Sequence, residues 1–295
     1  MNVLVTGCTG FIGYHLCKYL FDNNFYVIGI GSEKENNPVC HEFYQCKIED
    51  IPIKQISNID VCFHQGANND TLDLNQDSMM KSNYEVPINF FYNLMKYKNC
   101  KNFIYASSCS VYGKQLAPYC VESTEPQPLN PYAASKLKFE KFADLFSKEN
   151  NVKTIGLRYT NVYGPHELHK GRRASMVTQI LEKIKKDENV ILFKNGEQKR
   201  DWVYVNDVVQ ANIKAINFPK SDIFNVGYGF SYSFNEIVDI IYNKMKKNIK
   251  VSYVDCPFEE QYQSYTGVKI KKTIENLNFQ PMWSLENALI DMIGN

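Results

Sequence analysis

Tyr132 and Lys136 are the pair whose residue types and spacing could do acid–base chemistry. They lie four residues apart in a segment that opens with Asn130, a candidate helix cap, and Pro131, which suits the first helical position. Residues four apart share one helix face, so the phenol and the ammonium would point the same way. A free tyrosine titrates near pH ~10, and a fixed cation nearby lowers that pKa. The pair therefore predicts a group that moves a proton on or off a hydroxyl, although such spacing is also common on helix surfaces.

Three glycines near the amino terminus, Gly7, Gly10 and Gly13, follow a short apolar run and precede a helical pattern of apolar residues. That order predicts a strand, a tight turn and a helix. Glycines let the backbone turn sharply and approach a pyrophosphate, and the N–H groups at a helix N-terminus favour an anion. A glycine triplet by itself can be an ordinary turn, but this position between a strand and a helix predicts a dinucleotide-binding site.

Strand-like and helical patterns alternate through the first half of the chain. The predicted strands are residues 3–6, 26–30, 61–64, 103–107 and 154–158, and the predicted helices are residues 11–21, 79–97 and 132–147. This alternation predicts an α/β fold with a doubly wound parallel sheet of the Rossmann type, whose ligands lie at the carboxyl ends of the strands. The polar segment 31–46 is expected to be an irregular loop.

The pattern changes after about residue 164. Helical patterns over residues 174–186, 207–217 and 234–246 alternate with short extended pieces at residues 190–193, 223–226 and 251–253. This predicts a smaller, mixed α/β substrate domain interleaved with the first one. The expected dinucleotide-binding domain covers residues 1–164 plus about 201–226. The expected substrate-binding domain covers about 165–200 and 227–295.

The composition of the 295-residue chain is that of a globular protein, with 44% apolar and 22% charged residues. A formal charge of +1 gives no case for a nucleic-acid or membrane surface. We expect no signal peptide, because the apolar start belongs to the first predicted strand, and no membrane span, because no apolar run approaches ~20 residues. The nine cysteines include no Cys-x-x-Cys, which favours reduced thiols and a cytoplasmic location. His166 and His169 lack matching ligands nearby in sequence, so no metal is expected.

Three further blocks, residues 103–113, 157–165 and 199–205, complete an ordered set with the glycine motif and the Tyr-Lys pair. This set resembles the extended short-chain dehydrogenase/reductase superfamily, whose members mostly modify nucleotide-activated sugars. The resemblance implies that Ser108 is a catalytic serine beside Tyr132 and Lys136. It also implies that Asn161 and Arg200 hold the diphosphate of a nucleotide-sugar substrate.

The same resemblance implies a nicotinamide cofactor. The residues implied to bind it are Gly7, Thr9, Gly10, Phe11, Ile12, Gly13, Ser32, Lys34, Lys47, Ile48, Gln65, Gly66, Ala67, Asn83, Tyr132 and Lys136. The acidic residue that often ends the second strand and binds the ribose hydroxyl is missing here. Because that acid would repel a ribose phosphate, and Ser32 and Lys34 could accept one, we expect NADP, with NAD as the alternative. Lys47 stands where an adenine-side Asp is common.

Four blocks, residues 64–71, 79–84, 162–171 and 261–266, narrow the resemblance to the ADP-glyceromanno-heptose 6-epimerases. In that family the lysine matching Lys170 is a second acid/base group, whereas spacing alone would favour an exposed loop lysine. Asn69, His169 and Tyr265 are implied to contact the substrate. The expected enzyme is an isomerase that oxidises a carbon transiently and regenerates its bound cofactor each turn.

Other functions stay open. A 4-epimerase acting on a UDP-sugar, or a net dehydrogenase/reductase, would need Tyr132 alone as its base. A non-catalytic, cofactor-binding regulator would not need Ser108, Tyr132 and Lys136 together. A 4,6-dehydratase is disfavoured, because Cys109 and Ser110 stand where those enzymes carry an Asp-Glu pair. The superfamily often pairs the helices predicted at residues 79–97 and 132–147 with a second subunit, so a homo-oligomer is expected.

Overall fold

The structure, a computed structural model, describes residues 1–32, 38–114, 119–247, 249–257 and 263–294. Its strands are β1 (Asn2–Thr6), β2 (Tyr26–Gly31), β3 (Glu42–Gln45), β4 (Val61–His64), β5 (Asn102–Ser108), β6 (Lys153–Tyr159), β7 (Asn161–Tyr163), β8 (Val190–Phe193), β9 (Lys199–Tyr204), β10 (Asp222–Val226), β11 (Ser231–Ser233), β12 (Val251–Val254) and β13 (Tyr265–Thr266). Its helices are α1 (Phe11–Asp22), α2 (Gln76–Met80), α3 (Val86–Lys98), α4 (Pro131–Asn150), α5 (Met176–Lys185), α6 (Val205–Ile216), α7 (Phe234–Met245), α8 (Lys271–Leu277) and α9 (Leu285–Gly294).

A seven-stranded, wholly parallel sheet forms the larger part of the molecule, in the order β10-β6-β5-β4-β1-β2-β3. The predicted doubly wound parallel sheet is confirmed. The chain builds outward from β1 through β2 and β3, and then from β4 in the opposite direction. The crevice at this reversal, between the carboxyl ends of β1 and β4, is where such sheets bind ligands.

Helices cover both faces of this sheet. On one face, α1 and α6 pack together over apolar side chains that include Leu16 and Val208. On the other face, α3 and α4 bury a cluster of aromatic rings that includes Phe91 and Phe139. Burial on both faces explains why the central strands are almost entirely apolar rather than alternating.

A second, smaller layer contains β7, β9, β11 and β13 in one sheet and the parallel pair β8 and β12 in another. Helices α5, α7 and α9 pack against these strands. The expected mixed α/β part is therefore present. The domain boundaries drawn from the sequence placed residues 161–164 and 201–204 with the large sheet, but β7 and β9 lie in the smaller one. The division into two domains stays a prediction.

Two local predictions were wrong. Residues 79–97 are not one helix, because a π-helical turn at Lys81–Glu85 separates α2 from α3. Pro87 explains the break, since it lacks the N–H that would donate to the carbonyl of Asn83.

The segment 31–46 is not irregular throughout, because β3 pairs with β2 in parallel. Glu42, the first residue of β3, accepts hydrogen bonds from the hydroxyls of Tyr26 (3.1 Å) and Tyr44 (2.9 Å).

Candidate active site

A cleft at the reversal point of the large sheet is lined by the tight, glycine-rich turn between β1 and α1. Gly7 has a φ of +68°, and a Cβ there would lie 2.7 Å from the Cα of Gly66. The loops after β1 and β4 therefore touch through their backbones. A Cβ on Gly13 would lie 2.0 Å from the carbonyl oxygen of Gly7, so α1 starts directly against the turn. No side chain among the described residues caps this helix at Gly10, which leaves its first N–H groups for an anion.

Most of the predicted cofactor residues line this cleft. They are Gly7, Thr9, Gly10, Phe11, Ile12, Gly13, Ser32, Lys47, Ile48, Gln65, Gly66 and Ala67. Lys34 lies outside the described residues. Asn83 is buried behind the cleft, where it accepts from the N–H of Asn68 (2.8 Å) and donates to that residue's carbonyl (2.9 Å). It shapes the loop after β4 rather than facing the cleft.

This first cleft, called the cofactor cleft below, carries charges that favour an anion. Lys47, Lys81, Lys170 and Arg173 line it, and Glu49 is the single acid among the lining residues that the structure describes. Cationic side chains and the N–H groups at a helix N-terminus both attract a phosphate. The residues present thus fit a nicotinamide dinucleotide.

A second cleft, with a volume of about 750 Å³, adjoins the first. The residues that line both clefts are Phe11, Ile12, Gln65, Ala67, Asn69 and Lys170. Lys170 therefore lies where the two clefts meet. The predicted catalytic residues Ser108, Tyr132 and Lys136 line the second cleft, so the structure brings all four candidates to one cavity.

The ends of two elements position Ser108, Tyr132 and Lys136. Ser108 is the last residue of β5, and its Oγ accepts from the N–H of Ser110 at 3.1 Å. The other two lie in the first turns of α4, which Asn130 caps through the N–H of Ala133 at 2.8 Å. The sequence prediction of this cap is confirmed.

Burial governs the titration of the Tyr-Lys pair. It raises the pKa of Tyr132 to about 12, an effect that the Ser108 hydroxyl opposes. It lowers the pKa of Lys136 to about 8, while the charge of Glu140 acts the other way. Lys136 Nζ donates to the Ala106 carbonyl at 2.9 Å and lies 5.8 Å from the centre of the Tyr132 ring. Desolvation thus has the largest effect on the pKa of Tyr132 in this structure, and the tuning of Tyr132 by Lys136 stays a prediction.

The predicted substrate residues do not all line the same cleft. Asn161 and Arg200 line the second cleft, Asn69 lines both clefts, and His169 lines the cofactor cleft. Asn161 is fixed by donating to the Asp201 carbonyl at 3.1 Å. Tyr265 does not line the second cleft, and its neighbour Thr266 does.

Sequence reasoning missed two buried carboxylates beside the site. Glu140 pairs with Arg158, and Glu167 pairs with Lys170. Glu140 stands four residues after Lys136 on the same helix face, a spacing that could have drawn attention to it. Glu167 stands three residues before Lys170, but its remaining partners depend on how the chain folds.

Three further observations concern metals, membranes and thiols. The described part of the chain contains no group of three or more His, Cys, Asp or Glu side chains placed to hold a metal ion. Among the described helices, none combines the length and apolarity needed to cross a bilayer. The nine cysteines are all free thiols.

Comparison with known proteins places this geometry in a family. Residues 3–227 match the family model described as the NAD dependent epimerase/dehydratase family. The chain belongs to this family. The predicted membership of the epimerase group is confirmed, and with it an isomerase that uses a nicotinamide cofactor.

Particular relatives are also similar over nearly the full length. The ADP-L-glycero-D-manno-heptose-6-epimerase of Brachyspira hyodysenteriae is 34% identical over 92% of this chain and 90% of its own. The solved structure of the Helicobacter pylori protein of that name is 35% identical, with a TM-score of 0.87 over 99% of this chain and 95% of its own. The UDP-glucose 4-epimerase of Thermotoga maritima, solved with UDP-glucose, is 28% identical, with a TM-score of 0.91 over 98% and 96%.

Proposed function

We propose that this protein is a nucleotide-sugar epimerase that inverts carbon six of an ADP-glyceromanno-heptose. The observation that carries the proposal is the position of Lys170 at the junction of the two clefts, in the same cavity as Ser108 and Tyr132. Two acid/base candidates thus share one cavity. The two relatives named as heptose 6-epimerases, at 34% and 35% identity, support this choice of substrate.

The proposed mechanism assigns one task to each side chain. A nicotinamide dinucleotide held by the turn after β1 and by Gln65, Gly66 and Ala67 would supply the hydride chemistry, taking a hydride from the substrate and returning it. Ser108 hydrogen-bonds the reacting oxygen. Tyr132 and Lys170 exchange the proton of the hydroxyl, one for each stereoisomer, because the two isomers present that hydroxyl from different directions. Lys136, buried beside Tyr132, stabilises the phenolate when that proton leaves.

A UDP-sugar 4-epimerase is the second candidate. The Thermotoga maritima 4-epimerase, with a TM-score of 0.91, favours it. That reaction requires one base, and Tyr132 would be sufficient. Lys170 would then be a binding residue, so its substitution would weaken the binding of substrate more than it would slow turnover.

We test the two candidates with proton NMR of the purified protein, ADP-D-glycero-D-manno-heptose and no added cofactor. Conversion to the L-glycero isomer without net NAD(P)H is the expected result. Lys170→Met should lower kcat by about 10²–10⁴-fold, as expected for loss of an acid/base group. The matched control is Lys183→Met, because Lys183 lines the same cleft and has no assigned role. Full activity in Lys170→Met would contradict the two-base mechanism, and an unchanged heptose would direct the assay to UDP-sugars.

For the cofactor we propose NADP rather than NAD. Ser32 and Lys47 line the cleft near the end of β2, and Gly31 ends that strand at the position where an acid that would repel a ribose phosphate often stands. Denaturing the purified protein and identifying the released dinucleotide by mass spectrometry tests the proposal. Recovery of NAD alone would contradict it.

We further propose a homo-oligomer in the cytoplasm. Helices α3 and α4 expose Tyr92 (39%) and Leu145 (56%), and a second copy would cover these apolar side chains. The free thiols favour a reducing compartment. Sedimentation should show a species larger than 34.2 kDa that Leu145→Lys dissociates. A wild-type monomer would contradict the oligomer.

A further inference from the structure

Glu167 is a buried carboxylate whose two oxygens both have partners. It is 1% exposed. Oε1 accepts from Lys170 Nζ at 2.7 Å and from the N–H of Ser175 at 2.8 Å. Oε2 accepts from Ser175 Oγ and from Thr178 Oγ1, each at 2.7 Å. A carboxylate taken out of water is tolerated only with partners of this kind, so the group is held in one position.

The start of α5 anchors this carboxylate. Ser175 is the N-cap of α5, and its Oγ accepts from the N–H of Thr178 at 3.2 Å. The same two residues donate to Glu167. The apolar face of α5 is buried, so the packing of this helix holds Ser175 and Thr178 in place. Their hydrogen bonds in turn fix the position of the Glu167 carboxylate.

Lys170 depends on Glu167 for its own position. A lysine side chain has a flexible four-carbon stem, so an unpaired ammonium spreads over many positions. Here the side chain is 15% exposed, and Nζ lies 2.7 Å from Glu167 and 5.1 Å from the centre of the Phe11 ring. The backbone N–H of Lys170 also donates to the Glu167 carbonyl at 3.1 Å. The ion pair therefore keeps the ammonium at the junction of the two clefts.

We propose that Glu167 is a positioning residue that holds the Lys170 side chain at the junction of the two clefts. Glu167 acts through Lys170 and does not touch the reacting atoms. The inference rests on the proposed function, in which Lys170 is the second acid/base group. The ion pair with Glu167 fixes the position of the Lys170 side chain, which the sequence motif around Lys170 does not explain.

The experiment compares Glu167→Gln, Lys170→Met and the double variant, each purified with its cofactor. Glu167→Gln keeps the size of the side chain and removes its charge. We expect kcat to fall by about 10²-fold with KM changed less than about twofold, because misplacing a reacting group costs rate more than binding. In the Lys170→Met background the same substitution should cause no further loss, since its effect passes through Lys170.

A second readout does not use activity. Reductive methylation of lysines, followed by mass spectrometry, measures how readily each amine reacts. Glu167→Gln should raise the methylation rate of Lys170 several-fold, because it releases the ammonium. The internal control is Lys18, whose pair with Asp22 lies on the surface and should react at an unchanged rate.

The outcomes distinguish failure of the positioning role of Glu167 from failure of the two-base function. An unchanged methylation rate at Lys170 overturns the positioning role, whatever the activity. A further loss of kcat in the double variant overturns it too, because it shows a role apart from Lys170. Full activity in Lys170→Met overturns the proposed two-base function, and the methylation rate still decides whether Glu167 holds Lys170.

If Glu167→Gln fails to fold, Thr178→Val provides a second test of the positioning role. Thr178→Val removes one donor to Glu167 and leaves both members of the ion pair in place. It should raise the methylation rate of Lys170 and lower kcat in the same direction as Glu167→Gln, with KM unchanged. Wild-type values for both quantities would overturn the proposal.

Discussion

Glu140 and Arg158 form a buried ion pair beneath the catalytic candidates. Arg158 donates to both carboxylate oxygens, at 2.7 and 2.9 Å, and the two side chains are 3–5% exposed. Arg158 also donates to the hydroxyl of Tyr112 at 2.9 Å, and Ser107 donates to Glu140. The network lies directly behind Ser108, so it fixes the end of β5 against α4.

Breaking this pair should destabilise the protein strongly. Glu140→Ala leaves the Arg158 charge buried without its carboxylate, which costs about 3–5 kcal/mol of unfolding free energy. The matched control is Asp144→Ala, one turn later on α4, where the exposed pair with Lys148 contributes about 0.5 kcal/mol at most. Urea denaturation at pH 7 measures both. A loss below about 1 kcal/mol for Glu140→Ala would contradict the argument.

His64 makes stability depend on pH. The ring is buried at the end of β4, and Nδ1 lies 2.8 Å from Thr6 Oγ1. Thr6 Oγ1 in turn accepts from the N–H of Gly66, so its own hydrogen is free to be donated to Nδ1. Burial, with a smaller contribution from the charge of Lys136, lowers the pKa of His64 to about 3.

The sign of this pH dependence follows from proton binding. An unfolded histidine titrates near pH ~6.5, so between there and pH 3 the unfolded chain binds a proton that the folded chain does not. His64 therefore stabilises the fold above pH ~6.5, and that stability is lost as the pH falls. His64 contributes at most about 1.4 kcal/mol per pH unit to the slope of the unfolding free energy against pH. His64→Gln should flatten the pH dependence measured by urea denaturation between pH 4 and 7, and equal slopes in both proteins would contradict this.

At the level of elements, the sequence predicted those with strong patterns. The bounds of β4 and β8 match the prediction, because both are short apolar runs. β9 was not predicted because Arg200 and Asp201 are charged and yet buried, and Asp201 accepts from the distant N–H groups of Tyr228 and Gly229. The same distinction holds for the residues of the candidate active site. Motifs located Ser108, Tyr132, Lys136 and Lys170, whereas the contacts of Glu167 with Ser175 and Thr178 require α5 to be in place.

The turn between β1 and α1 allows a prediction with a matched pair of glycines. A Cβ on Gly13 would lie 2.0 Å from the Gly7 carbonyl oxygen, whereas one on Gly10 would lie 3.2 Å from the same atom. Gly13→Ala must therefore push α1 away from the loop after β1, while Gly10→Ala requires a shift of a few tenths of an ångström. We expect Gly13→Ala to lower the unfolding free energy of the cofactor-free protein more than Gly10→Ala does. Urea denaturation measures both variants, and equal losses would contradict the close approach of α1 to the turn.

For the whole molecule, the important feature is that the large sheet is completed late in the chain. α6 and β10 come after residue 164, and yet β10 forms an edge of the sheet beside β6 and α6 packs on α1. Their buried residues Val208, Phe224 and Val226 share one core with Leu16 and Leu20. The smaller layer is inserted between parts of the larger one, so the two cannot be separated by one cut.

This interleaving predicts how fragments behave. A fragment of residues 1–164 lacks α6 and β10, so it exposes the apolar face of α1 and the edge of β6. We expect it to aggregate or to unfold without cooperativity. Residues 1–164 joined by a short flexible linker to residues 205–230 restore both elements, and the join is short because Tyr163 and Tyr204 are paired neighbours in β7 and β9. The joined form should unfold cooperatively in thermal circular dichroism. Cooperative unfolding of the 1–164 fragment alone would show that the core under α1 does not need α6, and would contradict the interleaved arrangement as a requirement for folding.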